Sequence, residues 1–330
     1  MRIPIVLNYA RRLHQKYDLS LPVNLDDLAK EYASLTYTDI PMDIDGVSAD
    51  LKVAGKRPHI FVNNGMPAKR QRFTLAHEIG HVIIPWHTGT IFDVTAINES
   101  DNNIEYWEIE KEANAFATEL LMPSSWVEEL VQQNSFDAAD LHRQIVKTAD
   151  VSDIAACLRL IQFLPKGYVF VALDQGNYVQ YSARSEGTIA SNLSQHELFD
   201  IDKHYAYCEN RSFVETFSGV YYWFKLPTDM KLPINDGNCD WRTILRSIFE
   251  DLGLDKPLEQ KKTQQLNGVL GFANSLAKRS CPPSKESLFS ACIQRLEGKP
   301  HLEVLTHHPE FSKFLSAKIN DLIEKGSQQS

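Results

Sequence analysis

The spacing of apolar residues predicts an N-terminal region in which helices and short strands follow one another. Apolar residues recur at helical spacing from Ile5 to Tyr17, and again in a segment that begins at Asn24 or Asp26 and ends at Tyr32. Alternating apolar and polar residues then predict strands at 32–37, 46–53 and 60–62, separated by turns rich in Gly, Asn and Asp. The pattern therefore predicts a small sheet, whose edge strand is either purely structural or a candidate for pairing with another extended chain.

The next segment, residues 67–81, is a predicted helix that carries two histidines one turn apart. It ends in His77-Glu78-Ile79-Gly80-His81. Because positions i and i+4 share a helical face, both imidazoles can reach one metal ion. Glu78 lies beside them, where a general base must be if it acts on the water that attacks a peptide carbonyl. The spacing predicts a zinc (Zn2+) hydrolase, which needs a third protein ligand and an open fourth position.

A second predicted helix, which ends at Pro123, offers two candidates for the third ligand. Glu110 is followed one turn later by Asn114 on the same face, where an amide can orient a ligating histidine. Glu112 has Phe116 at the corresponding position, and this side chain offers no polar atom. Glu110 is therefore the preferred ligand and Glu112 the alternative.

Two more side chains are candidate hydrogen-bond donors to the transition state. His87 follows the end of the active-site helix and can line the cleft, although an exposed turn histidine is the favoured interpretation. Tyr106 is close to Glu110 in sequence and ends a polar segment, 90–106, that is expected to form a loop over the cleft.

The stretches RFTLAHEIGH at 72–81 and EKEANAFATELLMP at 110–123 resemble the ImmA/IrrE family of metallopeptidases, and Ile60 to Asn63 resembles the strand before that family's active-site helix. The resemblance covers about the first 125 residues. It implies a zincin-like domain over 1–125 and a zinc endopeptidase of gluzincin-like geometry. It also implies a protein substrate, usually an XRE-type helix-turn-helix repressor encoded nearby, which is cut to switch on a stress, mobile-element or anti-phage operon.

Composition limits the class of protein. The chain has 330 residues, enough for two or three domains, and its net charge of −9 argues against a protein that coats nucleic acid. Its five cysteines are scattered and odd in number, which favours reduced thiols and a cytoplasmic location. In a latent form of the protein, the thiolate of Cys208 or Cys239 is a candidate for occupying the open coordination position of the zinc. No apolar run is long enough to span a membrane.

Residues 126–165 are predicted to form a helical linker. The pattern from Val151 to Leu160 resembles the second half of a helix-turn-helix, in which Arg159 would contact DNA. A helical spacer packed on the peptidase is favoured, because the segment is acidic and has few basic residues.

Residues 166–330 are expected to form an α+β sensor domain with a helical tail, similar to the GAF-like domain found after the peptidase in some family members. Strands are predicted at 168–173, 177–182, 211–217 and 219–226. Four residues in and beside the last two strands are candidates for stacking on single-stranded nucleic acid, although a role in the sheet core is favoured for such a set. They are Arg211, Tyr222, Trp223 and Lys225.

Together these features predict an α+β zinc endopeptidase that performs limited proteolysis of a repressor when its C-terminal domain senses a signal, such as single-stranded DNA or another ligand of damage or infection. The alternative is a sensor or DNA-associated regulator without enzymatic activity, in which zinc is structural. Glu78 distinguishes the two hypotheses, because a structural zinc site needs no base.

Overall fold

The computed structural model describes residues 2–41, 44–94, 104–133, 137–191, 193–232, 240–278 and 284–327. The chain divides into two compact units, residues 1–163 and 164–330. The three-part division predicted above places the helical linker in a segment of its own, whereas here nearly all of it lies within the first unit.

The first unit mixes helices with one sheet of four strands. Its elements, in chain order over the described residues, are α1 (Ile3–Tyr17), α2 (Leu25–Tyr32), β1 (Ser34–Thr38), β2 (Ile44–Leu51), β3 (His59–Asn63), α3 (Ala68–Ile83), β4 (Gly89–Val94), α4 (Ile104–Leu121), α5 (Ser124–Gln132), α6 (Ala138–Ala149) and α7 (Asp153–Leu160).

The sheet has the strand order β1-β3-β2-β4. Strand β1 is parallel to β3, and β2 is antiparallel to both β3 and β4. Helix α3 packs on β2 and β3, while α4 packs on both α3 and α1. This layering buries α3 between the sheet and α4, so its side chains are positioned by both.

Strand β4 corrects the sequence prediction for this region. Residues 90–106 were expected to form a loop, but the segment from Gly89 to Val94 pairs with β2 as an edge strand. Its apolar residues, Ile91 and Phe92, do not alternate with polar ones over enough positions to predict a strand. Residues 95–103 of the predicted loop, including Asn98 to Asn103, lie outside the described residues, and 104–106 belong to α4.

Helices α5 to α7 pack within the first unit. In α7, Arg159 is only 6% exposed, and its guanidinium donates to the Glu119 carboxylate (2.6 Å) and the Met122 carbonyl (3.0 Å). A guanidinium held in this way cannot contact DNA without leaving a buried carboxylate unpaired. The hypothesis of DNA contact by Arg159 is therefore not supported.

The second unit has a four-stranded sheet followed by helices. Its elements over the described residues are β5 (Tyr168–Leu173), β6 (Val179–Arg184), β7 (Asn210–Thr216), β8 (Gly219–Lys225), α8 (Trp241–Asp251), α9 (Lys256–Ala277), α10 (Lys285–Leu296), α11 (Glu303–Thr306) and α12 (Phe311–Ser327). The strand order is β6-β5-β8-β7, with every pairing antiparallel.

Two apolar clusters stabilise this unit. One lies on the sheet around Val171 and Phe224, and the other joins the helices around Ile248, Leu288 and Phe314. The mixed α+β class is thus confirmed, whereas the GAF-like assignment stays a prediction. Among the described helices, none has both the length and the apolarity that a membrane span requires.

Candidate metal centre

The site is built on the C-terminal half of α3. Every residue from Thr74 to His81 is buried, because this part of the helix lies between the sheet and α4. Gly80 allows the close approach of α4, since a Cβ at this position would lie 3.0 Å from Phe116 Cδ1. The close packing at Gly80 is therefore between two helices, α3 and α4.

Three side chains from α3 and α4 meet at one point. His77 Nε2 lies 2.9 Å from His81 Nε2 and 3.1 Å from Glu110 Oε2. Glu110 Oε1 lies 3.6 Å from His81 Nε2. Two imidazole nitrogens and a carboxylate in this arrangement form a donor set that suits zinc and leaves a further coordination position available.

The electrostatics of this cluster fit a cation. Glu110 Oε1 is buried, and no described residue forms a hydrogen bond with it. Burial lowers the pKa of His77, but the hydrogen bond with Glu110 and the surrounding carboxylates outweigh it and raise the pKa to about 9. A positive charge is therefore favoured between these groups even when only a proton supplies it.

Glu78 lies on the same helix and faces the sheet. The Ser48 hydroxyl of β2 donates to Glu78 Oε2 at 2.5 Å, while Glu78 Oε1 has no hydrogen-bond partner in the part of the chain that the structure describes. Burial raises the pKa of Glu78 to about 8, although the nearby His77 and the Ser48 hydrogen bond lower it. Glu78 thus has one oriented oxygen and one available oxygen, as a general base requires.

Gly46 makes room for this carboxylate. A Cβ on Gly46 would lie 2.5 Å from Glu78 Oε1 and 2.7 Å from Thr74 Cγ2. This role is not evident from the sequence, because nothing in the local pattern distinguishes Gly46 from a turn glycine beside the preceding Asp45.

Replacing Gly46 with Ala is expected to displace Glu78. A misplacement of about 1 Å lowers catalytic rates by about 10²-fold, and overpacking lowers the free energy of unfolding by about 1–3 kcal/mol. Zinc bound by His77, His81 and Glu110 should be retained, because the three atoms nearest to the added methyl group belong to Glu78 and Thr74 and not to these residues. Peptidase assays, zinc analysis and thermal melts measure these three effects. Wild-type activity in G46A would show that Glu78 does not depend on this space.

Each histidine is oriented through its second ring nitrogen. Asn114 Oδ1 lies 3.0 Å from His77 Nδ1, in the position expected from its spacing to Glu110. His81 Nδ1 lies 2.9 Å from His87 Nδ1, and His87 Nε2 lies 3.2 Å from Glu112 Oε2. If His81 binds a metal through Nε2, its Nδ1–H donates to His87, and His87 then donates its own Nε2–H to Glu112.

This chain of hydrogen bonds assigns a role to His87 that the sequence did not indicate. The favoured interpretation of His87 as an exposed turn residue is wrong, because the side chain is 0% exposed. Burial lowers its pKa to about 4, against the opposing effect of Glu112. A neutral His87 can accept from one neighbour while donating to the other, which the chain requires. Its contacts are with His81 and Glu112, behind the ligand atoms, rather than with a substrate.

Replacing His87 with Ala is expected to weaken zinc binding or activity by about 10- to 100-fold, the usual effect of losing a partner that orients a ligand. His142→Ala is the matched control, since His142 is also 0% exposed and also contacts a carboxylate, Asp153, at 3.2 Å. Zinc affinity should fall in H87A alone. Equal affinity in the two variants would mean that His87 only fills space.

Glu112, the alternative third ligand, has other partners. It accepts hydrogen bonds from Trp86 Nε1 (2.6 Å) and Arg2 Nε (3.2 Å), in addition to His87. Burial raises its pKa, but these hydrogen bonds outweigh it and lower the pKa overall. Glu112 is therefore an ionised anchor for His87 and for the start of α1.

The remaining predicted donor, Tyr106, contacts the edge strand. Its hydroxyl donates to the Phe92 carbonyl at 2.6 Å. Asp93 lies on the same strand, and its carboxylate is near His77 and Glu78. Nothing in the sequence indicated that this residue is a neighbour of the site. Burial raises the pKa of Asp93.

The four ligand-binding candidates of the second unit do not form one site. Arg211 and Tyr222 lie on one face of the sheet, because Arg211 pairs with Phe224, which is two residues from Tyr222. Trp223 and Lys225 lie on the other face. Trp223 is 1% exposed and packs against Phe170 in a tilted arrangement, with ring centroids 5.3 Å apart. The favoured alternative, a role in the core, describes Trp223.

Comparisons with known proteins agree with this description of the first unit. Residues 21–160 match the family model of the IrrE N-terminal-like domain, a peptidase family. The radiation response metalloprotease IrrE of Deinococcus radiodurans is 28% identical over 127 residues, which are 38% of each chain. IrrE of Deinococcus deserti is 28% identical over 127 residues, covering 36% of this chain and 44% of that relative.

The fold, the site and these matches agree with a metallopeptidase domain. Residues 21–160 are similar to the IrrE N-terminal-like domain, which supports the resemblance to the ImmA/IrrE family that the two motifs indicated. The match spans less than half the length of either IrrE relative. A Mycobacterium tuberculosis transcriptional regulator of known structure aligns with 68% of this chain and 80% of its own, at 11% identity and a TM-score of 0.35, too low to indicate a shared fold.

Proposed function

We propose that this protein is a zinc endopeptidase in which His77, His81 and Glu110 hold the metal and Glu78 is the general base. The observation that carries the proposal is the convergence of His77 Nε2, His81 Nε2 and the Glu110 carboxylate beside a buried glutamate with an unpartnered oxygen. When bound, zinc polarises the substrate carbonyl and increases the acidity of water.

Residues of the protein orient the metal ligands and transfer the proton. Asn114 and His87 hold the two histidines in the tautomers that present Nε2 to the metal. Ser48 fixes the Glu78 carboxylate, which accepts a proton from the attacking water and later delivers it to the leaving amine. The role of Glu78 also favours a peptidase over a structural zinc site, because a structural site has no use for a base.

Strand β4 is the proposed binding edge for the substrate. It is the last strand of the described sheet on the side that carries Asp93, beside Glu78. An extended peptide can add to such an edge through main-chain hydrogen bonds. Tyr106 already occupies the Phe92 carbonyl, so the peptide would pair elsewhere along the strand or displace this hydroxyl.

The proposed substrate is a partner repressor of the helix-turn-helix type, cut once to derepress a stress or defence operon. Support comes from the family, whose named relatives are radiation response metalloproteases. The second unit is the proposed sensor, for which the family resemblance implies a GAF-like domain, with single-stranded DNA as one candidate signal. Arg211 and Tyr222, on one sheet face, are the remaining candidates for contacting it.

Co-expression with a small helix-turn-helix repressor encoded beside this gene tests the proposal. Mass spectrometry of the repressor should show a single cut with the wild-type protein and none with E78Q. Single-stranded DNA added to the purified full-length protein should raise the rate. A repressor that stays intact with zinc-loaded enzyme, with and without DNA, would contradict the proposed substrate. Cleavage of unrelated peptides in the same assay would still support the peptidase.

A further inference from the structure

A second carboxylate lies beside the proposed base. Asp93 on β4 and Gly46 on β2 are directly opposite each other in the sheet, so their Cβ positions are on the same face. The place that a Gly46 Cβ would take is filled by Glu78 Oε1. The side chains of Asp93 and Glu78 therefore share the space above Gly46.

The distances in this space are those of a cation site. One ligand atom from each of His77, Glu78 and Asp93 lies within 4.8 Å of the other two. The three residues differ from the zinc set, which has His81 and Glu110 in place of Glu78 and Asp93.

An independent observation points to a ligand here. Glu78 is 0% exposed, and its Oε1 is buried without a hydrogen-bond partner among the described residues. A buried carboxylate oxygen is normally paired, and one without a partner calls for an ion or a water. Asp93 is partly exposed, so solvent has access to the same space from the side of β4.

We infer that Glu78 and Asp93 bind a second divalent cation next to the zinc, and that this cation inhibits the enzyme. His77 is committed to the zinc through Nε2 and to Asn114 through Nδ1. The second cation is therefore held by the two carboxylates and by water. Such an oxygen-rich site binds more weakly than a site with two histidines, so it fills only when the cation is in excess.

Inhibition follows from the use of Glu78, and this part rests on the proposed function. A carboxylate whose available oxygen coordinates a cation cannot accept a proton from water. The peptidase should therefore be active with one zinc per chain and inactive when the second site is filled. Glu78 would then determine both the rate of peptide-bond cleavage and the dependence of that rate on free zinc.

Equilibrium dialysis of the full-length protein against increasing zinc tests the site without requiring activity. Bound zinc, measured by mass spectrometry, should rise from about one to about two per chain in the wild type, with the second step absent in D93N. Asp45→Asn is the matched control, because Asp45 is an acidic residue of the same sheet that pairs instead with Arg70, at 2.6 Å. The difference between D93N and D45N excludes zinc bound elsewhere, for example on other histidines.

The proposed cation site would be refuted if the second zinc ion still bound to D93N, or if it did not bind to the wild type. Activity is measured on the same samples. Filling the second site should lower the rate by at least about tenfold in the wild type and in D45N, and much less in D93N. Two bound zinc ions without loss of rate would overturn the inhibitory role. If the protein had no peptidase activity but D93N still lost the second zinc ion, the proposed function would be refuted and the cation site would remain supported.

Discussion

Replacing Glu78 with Gln is expected to lower peptide-bond cleavage by about 10²- to 10⁴-fold, the usual contribution of a general base. The amide has nearly the same shape and can still accept the hydrogen bond from Ser48, which lies 2.5 Å from Glu78 Oε2. The amide, however, has no lone pair basic enough to take up a proton at neutral pH. Neither histidine loses a contact, so zinc should remain bound at wild-type content.

The measurement is therefore a pair of values on one sample, the cleavage rate and the zinc content. Ser48→Ala is an informative companion, since it removes the orienting hydroxyl but keeps the carboxylate. Its rate should fall between those of the wild type and E78Q. Cleavage by E78Q at the wild-type rate would refute the assignment of Glu78 as the base, whatever the zinc content.

Replacing Glu110 with Gln is expected to remove the metal as well as the activity. The Glu110 carboxylate is 3.1 Å from His77 Nε2 and 3.6 Å from His81 Nε2, and it is the only anionic member of the proposed ligand set. An amide oxygen is a weaker ligand for zinc than a carboxylate, and the charge that offsets the cation is lost. Both zinc affinity and cleavage should fall by at least about 10-fold, more than for loss of an orienting partner.

Glu108→Gln is the control for this variant. Glu108 is on the same helix, and the substitution changes the charge of α4 by the same amount without touching the cluster. It should bind zinc as the wild type does. If E110Q keeps full zinc affinity, the third ligand is another group.

The spacing of the two motifs was sufficient to predict which three side chains converge, His77, His81 and Glu110. His77 and His81 are one helical turn apart, so their convergence follows from local geometry alone. The choice of Glu110 over Glu112 rested on Asn114, and in the structure Asn114 does lie against His77, at 3.0 Å. A helical face is a local property, which explains why the sequence could rank two glutamates that are only two positions apart.

Features that depend on tertiary contacts were not predictable in this way. His87 is five residues beyond Val82, after a proline, and nothing local shows that it folds back between His81 and Glu112. The anchoring of Glu112 by Arg2 joins residues 110 positions apart in the chain. Gly46 and Asp93 acquire their roles only through the pairing of β2 with β4, a strand that the sequence did not predict.

The second unit shows the same limit. Its strands were located correctly from alternation and turns, because both signals are local. Whether an aromatic residue of β8 faces solvent depends on what covers each face of the sheet. Trp223 and Phe224 are adjacent in sequence and point to opposite faces, yet both are buried. The clustering of aromatic residues in sequence therefore did not indicate a surface for stacking bases.

Anomalous diffraction at the zinc edge, from crystals of the protein grown with one equivalent of zinc, tests the central claim most directly. We expect a single strong peak within bonding distance of His77 Nε2, His81 Nε2 and the Glu110 carboxylate, with solvent completing the coordination and Glu78 next to that solvent. A peak bound by a fourth protein donor, or one from which Glu110 has turned away, would contradict the proposed peptidase.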